Sequence, residues 1–201
     1  LGDVYKRQLQ STSTNNAGEN KPVAAEVGLG SRVAAITSTF TQGNLTHVEN
    51  PFSVALEGDG FFQIRTQSGE LQYTRDGSFE ISPVANGNML CTSDGNPVLD
   101  AYGNQIILPS NRVATDLVVN QDGTLAFPDG TGNPAVITDA NGRPVKFGIY
   151  QFNNPAGLSK EGSNNYSVTV ASGAAVAENG NAAVKQTKTH QYYTEASLSL
   201  I

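Results

Sequence analysis

Turn dipeptides recur along this chain at intervals of roughly ten residues, a spacing that leaves no room for long helices and suits short strands joined by tight loops. From Ser68-Gly69 they run through Asp76-Gly77, Asn86-Gly87, Asp94-Gly95, Tyr102-Gly103, Asp122-Gly123, Asp129-Gly130 and Asn141-Gly142. Between and around them lie β-branched, aromatic and aliphatic stretches at 53–56, 60–66, 71–75, 78–81, 88–92, 105–108, 116–120, 124–127, 135–138, 147–152 and 165–170. Each is read as a strand, and no stretch keeps a helical period. The expected fold is all-β, with many short strands in a sandwich- or barrel-like domain.

Two of the turns sit in aromatic surroundings, EGDGFFQI at 57–64 and YTRDGSF at 73–79. Asp59-Gly60 and Asp76-Gly77 are expected there to supply the positive φ of a tight turn, with the acids as turn residues. Phe61 and Phe62 are adjacent, and neighbours on a strand face opposite sides. Two successive phenylalanines therefore predict a central strand covered on both faces; the alternative places one ring at an interface with another subunit.

Composition narrows the function classes. With 201 residues the chain is long enough for a real core, and 21 glycines, 9 prolines and 38% hydrophobic residues fit a loop-rich β-protein. A formal charge of −6 and scattered basic residues argue against a nucleic-acid face, which needs clustered Lys and Arg. Cys91 is the single cysteine, so no intrachain disulfide forms, and it is read as a small packed residue. No apolar run reaches the length of a membrane helix, and no secretory h-region is present.

Signatures of chemistry are missing. His47 and His190 are the only histidines, and with one Cys they cannot supply a Cys/His zinc site. GLGSRV at 28–33 lacks the third glycine of a dinucleotide loop. The segment from Asp94 places Gln105 where a calcium loop needs a bidentate Glu. No catalytic, cofactor-binding or metal-binding residue is assigned, and no small-molecule substrate or cofactor is expected. Two readings from other classes stay open: a secreted carbohydrate-binding or adhesive β-module, thinly supplied with aromatic platforms, and a hydrolase with a polar pocket at His47 or His190.

The organisation divides in three. Residues 1–26 are a polar, extended arm, of which 1–8 (LGDVYKRQ) fit no element and are set aside as non-native. Residues 27–175 form the β-domain and open with an expected strand over 27–40. Residues 176–201 form a return arm. A first residue of Leu rather than Met reads as a piece of a longer chain.

Six motifs in order carry a family resemblance. They are VGLGSRV from Val27; Phe40, Gln42, Gly43 and Leu45; Asn50, Pro51, Ala55, Leu56 and the run Glu57, Gly58, Asp59, Gly60, Phe61, Phe62; Tyr73, Arg75, Asp76, Gly77 and Phe79 within YTRDGSF; LCTSDGNPVLD at 90–100; and FNNPAGLSKEGSNNY from Phe152. The chain resembles the hook and basal-body axial proteins of the bacterial flagellum over about 27–197. Its short spacing from Asp100 to Phe152 resembles rod members, distal rod ones in particular, more than hook proteins or other rod subunits. The family's terminal helices are absent, and Glu195, Ala196 and Ser197 are kept from a closing L-E-x-S-N-V pattern whose Asn-Val is replaced.

The resemblance implies a non-enzymatic structural subunit of the flagellar basal body, in the cell envelope and periplasm. It implies export through the flagellar export apparatus without a cleaved secretory signal. It also implies assembly into a helical homopolymer that meets neighbouring rod and hook subunits and transmits torque. Within that picture Gly58, Gly60 and Gly77 serve turns and Phe61, Phe62, Tyr73 and Phe79 serve packing. Gln42, Asn50 and Arg75 are the expected hydrogen-bonding residues that fix the domain to its arms.

Overall fold

A computed structural model describes residues 40–196 of the chain. The arm at 1–26, nearly all of the strand expected over 27–40, and Ser197 onward lie outside the described residues. Sixteen short strands follow one another. They begin with β1 (Leu45–His47), β2 (Val54–Glu57), β3 (Phe61–Arg65), β4 (Leu71–Thr74), β5 (Glu80–Val84) and β6 (Gly87–Cys91). Next are β7 (Ile107–Pro109), β8 (Val118–Val119), β9 (Leu125–Phe127), β10 (Ala135–Val136) and β11 (Ile149–Gln151). The chain closes with β12 (Ser159–Gly162), β13 (Asn165–Ser167), β14 (Val176–Ala177), β15 (Lys188–Gln191) and β16 (Tyr193–Glu195). Among the described residues there is no α-helix; two single 3-10 turns stand at Ala114–Asp116 and Pro155–Gly157.

The strands make five antiparallel sheets and none closes into a barrel. The largest has the order β12-β13-β4-β3-β11-β14, and smaller ones pair β5-β6-β7, β10-β9-β8, β15-β2 and β1-β16. Residues 176–195, expected as a return arm, thus add β14 to the large sheet and pair β15 with β2 and β16 with β1.

β3 is covered on both faces. Phe62 and Ile64 point into the main core with Val54, Leu56, Phe79, Leu108, Leu125 and Phe147. Phe61 points the other way, into a second cluster with Tyr73, Phe152 and Leu158. Their exposures, 1% for Phe61 and 0% for Phe62, decide between the two readings of the pair in favour of a doubly covered strand. Edge-to-face packing suits the ring quadrupoles on each side: Phe62 lies 4.9 Å from Phe79, and Phe61 lies 5.5 Å from Phe152.

Local chemistry closes the loops in a repeated way. At 66–70, 92–96, 100–104, 120–124 and 139–143 the first amide donates to the fifth carbonyl and the glycine amide at the fourth place donates back to the first carbonyl. That pattern is a type I turn with a glycine bulge, and it sets Gly69, Gly95, Gly103, Gly123 and Gly142 at φ between 77° and 91°. In four of the loops the first side chain also accepts the fifth amide, as Asp100 Oδ1 does from Asn104 N at 2.9 Å. Register is thereby fixed within each hairpin before any partner sheet is met.

The β12–β13 hairpin departs from this rule. Its two-residue loop places Ser163 at φ 52° and Asn164 at φ 65°, a left-handed pair better served by Asn-Gly. The double substitution Ser163→Asn with Asn164→Gly is expected to stabilise the domain by about 0.5–1 kcal/mol. An unchanged or lowered urea midpoint would show that the contact from Asn164 Nδ2 to Asp76, 3.4 Å in length, outweighs the turn.

Candidate functional site

Two of the three polar residues singled out in the sequence, Gln42 and Arg75, converge where the first and last described segments meet. Gln42, on the approach to β1, accepts the Gly58 amide at 3.0 Å and donates to the Leu56 carbonyl at 3.0 Å and to Glu195. Arg75, just past β4, makes a two-pronged pair with Glu195 of β16: Nε to Oε2 at 3.0 Å and Nη2 to Oε1 at 2.6 Å. Its remaining donors reach the carbonyls of Gly58 at 2.6 Å and Gly60 at 2.7 Å through Nη1, and of Leu56 at 3.2 Å through Nη2.

Glu195 is the hub. Its carboxylate also accepts the Gly43 amide at 3.1 Å, and its side chain is only 5% exposed against 13% for Arg75. A planar guanidinium with five donors is the one side chain that can hold a carboxylate on two prongs and still satisfy three carbonyls. Gly43 has no room for a side chain: a Cβ there would meet the Ala196 carbonyl at 2.7 Å. The clasp therefore ties together the residues before β1, the β2–β3 loop, the end of β4 and the last strand.

Gly60 and Gly77 are glycines for a reason other than the expected one. Neither has a positive φ; in the first turn it is Gly58 that does, at 135°. A Cβ on Gly60 would stand 2.3 Å from Ile149 Cγ2, and one on Gly77 would stand 1.7 Å from the Val54 carbonyl oxygen. Close backbone crossing, not turn geometry, requires them. Asp76 does act as a turn residue, accepting the Ser78 amide at 3.0 Å, whereas Asp59 is exposed.

The other marked residues lie outside the clasp. Asn50 caps its own turn, accepting the Phe52 amide at 2.9 Å. Tyr73 receives a bond from buried Gln63 at 3.1 Å, and burial holds its phenol above the ordinary range despite that bond. Phe79 is core. Glu57 meets His190 Nε2 at 2.6 Å, and His47 packs on Tyr193 with rings 5.4 Å apart. Neither histidine lines any of the four cavities described on residues 40–196.

A second polar cluster gives no signal in the sequence. Glu178 is 3% exposed and accepts from Thr187 N at 2.7 Å, Thr187 Oγ1 at 2.6 Å and Gln151 Nε2 at 2.8 Å. Thr187 Oγ1 in turn accepts the Gly60 amide at 3.0 Å. Glu178→Ala strips two buried Thr187 donors of their acceptor, and a loss of about 2 kcal/mol is expected in urea unfolding; Glu178→Gln retains part of it.

Acid acts on the carboxylates that accept charge-favouring bonds. The Arg143 amide and guanidinium hold the Asp139 carboxyl below the usual carboxylate range, and the His190 bond does the same for Glu57. A depressed folded pKa contributes stability that is complete above the unfolded value and is lost as pH falls through the folded one. The unfolding midpoint is therefore expected to stay level down to about pH 5 and to fall below about pH 4.5. Asp139→Asn should flatten that acid limb, and an unchanged limb would remove Asp139 from the account.

Comparison with known proteins adds to this geometry. Residues 55–127 match the family described as the flagellar hook protein FlgE/F/G D1 domain. The chain is similar to the flagellar basal-body rod protein FlgG of Borreliella burgdorferi, 33% identical over 177 residues that cover 87% of this chain and 61% of that protein. It is 36% identical to FlgG of Agrobacterium fabrum over 86% of the chain and 61% of that protein. With FlgG of Caulobacter vibrioides it shares 30% identity over 96% of the chain and 67% of that protein. The chain spans about three fifths of the length of the first two of these curated relatives.

Proposed function

The chain belongs to the flagellar hook and basal-body rod protein family, and on that footing we propose that it is a structural, non-enzymatic subunit of the flagellar rod, of the distal-rod type. The observation that carries this reading is the run of relatives named as basal-body rod proteins, matched along most of the chain. The clasp supports it from another side. A shaft subunit under torsion needs its first and last segments fastened to the folded domain, and Arg75, Glu195 and Gln42 make that joint with the β1–β16 ribbon beside it.

In this role the subunit sits in the basal body within the cell envelope, reached through the flagellar export apparatus without a cleaved signal. Copies pack head to tail with a rotation that does not close, which gives a helical homopolymer that also contacts neighbouring rod and hook subunits. Deletion of the gene in its native host, followed by electron microscopy of isolated basal bodies, tests the reading. Basal bodies lacking the distal rod are expected, restored by the intact gene. Complete rods lacking only a hook would assign the protein to the hook, and binding to a glycan array with intact rods would favour the carbohydrate module.

A further inference from the structure

The connections β4–β5, β6–β7 and β12–β13 meet around a small cavity of about 10 Å³, room for one water-sized occupant. Two carboxylates line it, from Asp76 and Asp94, with the Asn165 carboxamide and five Ser or Thr hydroxyls. Among the described residues no Lys, Arg or His lines it, so the two acids face the cavity without a cation of the protein's own.

Asn165 is only 6% exposed, yet its carboxamide makes no hydrogen bond to any described residue. Buried side-chain amides almost always have a partner, and an exception calls for a water or an ion. Ser167 Oγ, two residues along β13, is sealed off without a partner, whereas the Asn165 amide opens on the cavity. Asp94 is idle in the same way. Asp100, Asp122 and Asp139 each accept an amide of their own loop, but Asp94 accepts none among the described residues, and its loop is closed by Thr92 Oγ1. The walls hold without either residue. Thr74 Oγ1 donates to the Asn164 carbonyl at 2.9 Å and accepts the Asp76 amide at 3.0 Å, and Asp76 Oδ1 accepts the Ser78 amide at 3.0 Å. The cavity is thus pre-formed and its free donor set is unspent.

We propose that this cavity binds a calcium ion, held by the carboxylates of Asp76 and Asp94 and by the side-chain oxygen of Asn165, with hydroxyls and water completing the shell. An all-oxygen set selects a hard cation; zinc and copper would call for imidazole or thiolate. Magnesium demands a near-octahedral shell and gives up its waters reluctantly, whereas calcium accepts an irregular set of neutral and charged oxygens. Two carboxylates match its charge, and so small a number of acids places the expected Kd at about 0.1–1 mM. No single loop here has the spacing of a calcium loop. Pairing of Asn165 with Thr74 brings the three connections together, and an ion among them would fasten three hairpin ends to one another.

An NMR titration of the full chain with calcium chloride, at fixed ionic strength and after chelator treatment, supplies the test. The side-chain amide of Asn165 and the backbone amides of 92–96 are expected to shift together and to saturate with a Kd of about 0.1–1 mM. Asp94→Asn, at an exposed turn position, should weaken binding at least about tenfold. Asn165→Asp adds a third carboxylate and should tighten it by a similar factor, with a calcium-dependent rise in melting temperature that a purely structural asparagine would not give. Ser167→Ala, on the same strand but off the cavity, should bind as the unsubstituted chain does. Three results would overturn the site. One is an Asn165 amide unmoved at about 10 mM calcium, tenfold above the weakest expected Kd, which would leave an ordered water as the occupant. Another is an equal response to sodium or magnesium chloride, and the third is an Asp94→Asn chain that titrates unchanged.

Discussion

Gly77→Ala should unfold the domain or cost it more than about 3 kcal/mol, the range reached when main chain and side chain are forced apart in a packed interior. The new methyl carbon would stand 1.7 Å from the Val54 carbonyl oxygen, and the same glycine's carbonyl accepts the Val54 amide at 3.0 Å. Relief requires β2 to move off the YTRDGSF segment, which breaks that bond and opens the Phe62–Phe79 contact beneath it. Gly103→Ala is the control: its φ of 85° is strained for alanine, but nothing lies within 4 Å, so a loss near 1 kcal/mol is expected. Urea unfolding of the two variants side by side decides the matter, and equal midpoints would refute the close crossing.

Arg75→Ala is expected to cost about 3 kcal/mol, because it leaves the Glu195 carboxylate shielded from water without its cation and the Gly58 and Gly60 carbonyls without a donor. The double substitution Arg75→Met with Glu195→Met should recover part of that loss by removing the stranded charge along with its partner. Gln42→Ala should cost less, since Arg75 still holds Glu195. Hydrogen exchange adds a spatial readout: the amides of β1 and β16 should lose protection in Arg75→Ala while those of β6 and β7 keep theirs. Uniform loss across all strands would mean that the clasp is an ordinary part of the core and not a joint.

The β-class and the hairpins were legible because their causes are local. Each X-x-x-Gly-x loop carries its own glycine and its own acceptor side chain, so Asp94-Gly95 or Asn141-Gly142 announces a turn without reference to anything distant. The strands of β1, β12, β14, β15 and β16 carry no such notice. Segments such as Lys188–Gln191 and Ser159–Gly162 are largely polar, have no alternation, and become strands only through the partners that reach them. For the same reason Gln42 and Arg75 stand out in motifs, whereas Glu195 appears only as a relic of a terminal pattern. Its role depends on a residue 120 positions away. Gly60 and Gly77 show the limit of reading residue by residue: the dipeptide is the right one to notice, yet the cause lies in the segments that cross it.

The late position of β15 and β16 has a consequence for the order of events in folding. Hairpins such as 92–96 and 139–143 close over a few residues and can form as soon as they exist, but β2 waits for β15 and β1 waits for β16, each far along the chain. A chain delivered from its N-terminus first holds a string of preformed hairpins around an unfinished core. The final strands then supply the ladder partners that β1 and β2 lack until they arrive. The edges of β1 and β2 are thereby left without their ladder partners until nearly the whole domain has been delivered, with that timing written into strand order.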